Sequence, residues 1–212
     1  MQRTEQWPRS TNAGLFATVW ITLVLIAALL QCGAVVVWWS VMVTAPLASV
    51  TTAVATLVLV GGLIAHQLFT ETAATGPGRT VPVDRLATLG LIEASGWVTW
   101  LLVADALGGL RGLAIAGIGL LALLVVTHSI EVDVLRGERR IAEAIDYGTV
   151  PYSLVAALGG TMWLSLATRG DLFGLDPSAV GLGGISPLVA GTAVLATVLV
   201  ATRAAAVLYA RY

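Results

Sequence analysis

The chain reads as long apolar runs separated by short polar ones. From Gly14 to Phe69 the run is broken only by Gln31, His66, Gln67, Pro46 and small hydroxyl residues. A membrane-spanning helix needs about 20 residues, so this run predicts two spans, at 15–39 and 46–69. The break is expected between Trp38-Trp39-Ser40 and Ala45-Pro46. Paired tryptophans are read as an interface belt, and Pro46 suits the first turn of a new helix. The first run is too long for a secretory leader, whose apolar region is about 7–15 residues, so an uncleaved span is expected.

Gly76-Pro77-Gly78 and Thr80-Val81-Pro82 then interrupt the pattern with turn chemistry. A third span is predicted at 86–107, a short connection at Gly108–Gly112, and a fourth span at 113–132. The charged stretch Arg136–Asp146 has Ile141 and Ile145 on one side and predicts a short interfacial helix. A fifth span at 149–168 and a sixth at 187–206 flank a loop rich in Asp, Pro and Gly from Arg169 to Ser186. The predicted fold class is all-α: a polytopic membrane protein, one six-transmembrane-helix bundle over residues 1–212.

Composition agrees. Apolar residues make up 58% of the 212 residues and charged ones 11%, against roughly 45–50% and 25% in soluble domains. Mean hydropathy is +0.92. The net charge of −1 gives no reason to expect nucleic acid as a partner. Every basic residue is arginine, so neither a retinal Schiff base nor a Walker lysine can form. The single cysteine, Cys32, rules out an internal disulfide and a multi-cysteine metal site.

The arginines set an expected orientation. With six spans, Arg3, Arg9, Arg79, Arg85, Arg136, Arg139, Arg140, Arg203 and Arg211 fall on one side, and Arg111 and Arg169 on the other. Nine against two predicts both termini on the cytoplasmic side of a cell (inner) membrane. Arg203 falls inside the sixth span, near the end where its stem can snorkel.

A duplicated hairpin, second-plus-third and fourth-plus-fifth spans, is also legible. His66, Thr80-Val81-Pro82 and Leu89-Gly90 recur as His128, Thr149-Val150-Pro151 and Leu158-Gly159.

Ionisable residues inside spans are expensive and are candidate sites by default. Four stand out: His66, Glu93, His128 and Glu131. At ~1.5 Å per residue they fall in one layer of the cytoplasmic half. His128 and Glu131 share a helix face, as do Glu93, Trp97 and Trp100.

Several readings fit the layer. In a purely structural one, His66, His128 and Glu131 are solvated near the interface and Glu93 pairs with one of them. Alternatively the layer is a proton or ion path, a divalent-metal site of His66, Glu93, His128 and Glu131, or a b-type haem held by His66 and His128. Gln31 is expected to make an interhelical hydrogen bond, and Asp105 to face water.

No His-Glu-x-x-His or Gly-x-Ser-x-Gly motif occurs, which disfavours a hydrolase. The function expected is a small transporter or a membrane subunit of a larger complex. The alternatives are a redox, metal- or haem-binding protein on the same residues, and a structural subunit without a site. Beyond the lipid bilayer, partner subunits or a homo-oligomer are the expected associates.

Overall fold

A computed structural model describes residues 13–76, 82–136 and 145–211. Arg3, Arg9, Pro77 to Val81 and Arg139 to Ile141 lie outside the described residues, and so does most of the predicted interfacial helix.

Among the described residues six helices are long and apolar enough to cross a membrane. They are α1 (Ala13–Met42), α2 (Val50–Thr75), α3 (Val83–Leu107), α4 (Gly109–Arg136), α5 (Val150–Arg169) and α6 (Pro187–Arg211). The protein is therefore a multi-pass, all-helical membrane protein. Its outer surface fits hydrocarbon: Leu57 is 70% exposed and Ile118 69%, a burden that soluble surfaces avoid in contiguous patches.

Two boundaries differ from the sequence expectation. Trp38 and Trp39 do not mark the end of the first span, because α1 continues to Met42. Both indoles are buried in the bundle core, and the Trp39 ring meets Trp163 of α5 edge-on at 5.4 Å. Pro46 does not open α2. Ser49 caps that helix, its side chain accepting from the Thr52 amide at 3.1 Å. Pro46 instead gives its carbonyl to the Thr52 hydroxyl.

The α3–α4 connection is tighter than expected. Gly108 and Gly109 take φ of +63° and +56°, a left-handed backbone that glycine adopts at little cost, so α4 begins at once.

Helices adjacent in sequence pack side by side, and α6 returns against α1 to close the bundle. Helices α2, α4 and α6 also touch one another. At one end, Arg211 of α6 donates to the carbonyls of Ala73 and Ala74 of α2, and its guanidinium lies 5.9 Å from the Trp20 ring centre of α1. Arg136 of α4 donates to the Tyr209 carbonyl of α6. These contacts gather the start of α1 and the last turns of α2, α4 and α6 at that end.

The two halves of the apparent repeat pack differently. An added Cβ at Gly90 would meet Ile64 of the preceding helix, whereas one at Gly159 would meet Val198 of the following helix.

The interior has two zones. Trp38, Trp39, Trp97, Trp100 and Trp163, all from α1, α3 and α5, are buried in the apolar core. Most of the buried ionic groups come from α2, α4 and α6, with Glu93 and Gln31 reaching in from α3 and α1.

Candidate functional site

The site is built around Arg203. It lies on the buried stripe Leu195–Leu199–Arg203–Val207 of α6, one residue every helical turn or so. The guanidinium is 2% exposed, so the expected snorkelling does not occur. All three of its nitrogens are used inward. Nη1 donates to both oxygens of Glu131 on α4, at 2.9 and 3.0 Å. Nε donates to Gln31 Oε1 on α1 at 3.1 Å, and Nη2 reaches Glu93 Oε1 on α3 at 3.5 Å.

Glu93 is the second hub. One oxygen accepts from Gln31 Nε2 and from Arg203. The other faces His66 Nε2 at 2.9 Å and accepts from Gln67 Nε2 at 3.4 Å. Five helices thus contribute to one network of His66, Gln67, Glu93, Gln31, Arg203 and Glu131. Gln31 makes the interhelical bonds expected of it, to two partners.

His128 is at the edge of this network. Its Nδ1 is 2.7 Å from Ser153 Oγ on α5, and its ring lies 5.0 Å from that of Tyr152. The Ser153 hydroxyl donates to the Thr149 carbonyl at 2.8 Å. A serine has one hydrogen to give; with that hydrogen on the Thr149 carbonyl, His128 Nδ1 is the donor to Ser153.

The four residues predicted from sequence are therefore all interior, none more than 2% exposed. They are not the solvated interface groups of the structural reading, although Glu93 does pair with His66 as that reading expected. Asp105 is exposed, as expected. Arg203 and Gln67 are participants missing from the residues expected at the site; Arg203 is the charged one. Its signal was its register with Leu195, Leu199 and Val207.

In charge terms, two carboxylates face one guanidinium. With neutral imidazoles one negative charge is left in this network; Glu71 and Asp133 are buried acids outside it. His66 Nδ1 is buried and has no hydrogen-bond partner among the described residues. Among those residues no three His, Cys, Asp or Glu side chains converge at metal-ligand spacing. Arg203, bonded to both Glu93 and Glu131, supplies the positive charge between them.

Comparison with models of protein families, with curated proteins and with solved structures finds no match.

Proposed function

We propose that the chain is a cytoplasmic-membrane protein whose buried ionic network loads and releases a proton to drive a small transport step. It does so alone or as the membrane subunit of a larger complex. The observation that carries this reading is the unbalanced charge: Glu93 and Glu131 against Arg203, all fully buried. Holding an uncompensated charge in the interior costs several kcal/mol. One proton shared by the His66–Glu93 pair makes the network neutral.

The arginine distribution supports an orientation with both termini in the cytoplasm. The network then sits in the cytoplasmic half, and the tryptophan core separates it from the outer face.

The test is charge movement. Proteoliposomes on a solid-supported membrane are given a pH step, and small water-soluble solutes are then offered one at a time. The expected result is a transient charge displacement that a transported solute turns into a sustained current. Glu93→Gln leaves a network that is neutral without a proton, and it should abolish the displacement. A wild-type protein that moves no charge, with or without solute, overturns the proposal.

A further inference from the structure

The ionic network is flanked by tryptophan rings on one side and by polar groups on the other. Trp39, Trp163, Trp100 and Trp97 form an unbroken series of ring contacts, with centroids 5.4, 6.2 and 5.3 Å apart. Trp97 and Trp100 lie about one and two turns beyond Glu93 on α3. No charged group interrupts that series.

The opposite side has different chemistry. Tyr152 of α5 has its ring 5.0 Å from His128 and 6.4 Å from Tyr209. The Tyr209 hydroxyl donates to Asp146 Oδ1 at 2.8 Å. Asp146 also accepts from Arg136 at 3.3 Å, and its side chain is 22% exposed. The charged and titratable groups acting on Tyr152 are Glu131 and Arg203 from the interior, and Asp146 and Tyr209 from the surface side. Tyr152 thus has groups of the network on one side and the partly exposed Asp146 carboxylate on the other.

Its hydroxyl is the informative atom. Tyr152 is 7% exposed, and the hydroxyl is buried with no hydrogen-bond partner among the described residues. An unsatisfied buried hydroxyl costs about 1–3 kcal/mol. Packing alone would be served better by phenylalanine. The ring is held by His128 and Tyr209, so the oxygen is the part that packing leaves unexplained.

We infer that the Tyr152 hydroxyl relays protons between Asp146 at the surface and the His128–Glu131 edge of the network. This rests on reading the network as a proton-loading unit. His128 keeps its Nδ1 hydrogen on Ser153, so the lone pair of its other nitrogen receives. The Tyr152 O–H bond breaks as an N–H bond forms at His128 Nε2 through one bridging water, since the hydroxyl has no direct partner among the described residues. The phenolic oxygen regains a hydrogen from the Tyr209 hydroxyl through water, and Tyr209 regains one from the protonated Asp146 carboxyl it contacts. The phenol is neutral before and after, and one proton has moved inward. Unloading is the reverse.

The test is the rate of the charge displacement in the pH-step experiment, measured beside its amplitude. Tyr152→Phe should leave the amplitude at the wild-type value, keep or raise the unfolding midpoint because it removes an unsatisfied hydroxyl, and slow the displacement by about tenfold or more. Asp146→Asn still accepts from Tyr209 and Gly148, so the local fold is kept, and it should slow the displacement in the same way. Wild-type rates in both variants overturn the relay. If Glu93→Gln still abolishes the amplitude in that case, the network reading survives without it. No displacement in the wild type overturns both.

Discussion

Arg203 donates two hydrogen bonds to Glu131 across the bundle interior, at 2.9 and 3.0 Å, with both side chains excluded from solvent. The same guanidinium is the counter-charge of Glu93. Removing it leaves two carboxylates buried without a cation. Arg203→Met is expected to lower stability by about 3–5 kcal/mol, read as the unfolding midpoint in detergent. Adding Glu131→Gln to that variant should restore part of the loss. An unchanged midpoint in Arg203→Met would contradict the geometry.

The adjacent glycines of α2 predict opposite outcomes. A Cβ at Gly62 would lie 2.4 Å from Ala34 Cβ on α1, whereas one at Gly61 meets nothing within 4 Å. Gly62→Ala should force α1 and α2 apart and cost about 1–3 kcal/mol. Gly61→Ala should be neutral or stabilising by up to about 1 kcal/mol, from helix propensity alone. Unfolding of the two single variants side by side checks the α1–α2 register.

The loop after α5 gives a pH prediction outside the membrane. The Asp171 carboxyl is held below the ordinary aspartate range, first by hydrogen bonds from Arg169 and then by the Gly174 amide. A depressed carboxyl stabilises the fold above its unfolded value, near 3.8. That contribution is lost as pH falls through the lower folded value. Protection of the Gly174 amide from hydrogen exchange should therefore hold through neutral and mildly acidic pH and fall only below about pH 4. In Asp171→Asn the protection should no longer depend on pH.

The spans were legible because each is a long apolar run bounded by turn residues, and α6 begins at Pro187 as its pattern predicts. Side-chain direction was harder to read. In a membrane bundle the lipid-facing and core-facing sides of a helix are both apolar, so periodicity does not tell them apart. His66, Glu93, His128 and Glu131 were legible because a charge in a span stands out against its neighbours. Arg203 was misread because it lies two turns from a helix end, where a long stem could reach water. Its stripe-mates Leu195 and Leu199 are fully buried, and they carry it inward instead. Trp38 and Trp39 were misread for a similar reason: an indole suits an interface and a packed core equally well.

With neutral imidazoles the network of Glu93, Glu131 and Arg203 is one proton short of neutrality, and proton uptake measures that deficit. Purified protein in detergent is stepped from about pH 8.5 to about pH 6, across the imidazole range, with an indicator dye counting protons bound per chain. The wild type is expected to take up about one proton more than Glu93→Gln, whose network is already neutral. Equal uptake by the two proteins would contradict it.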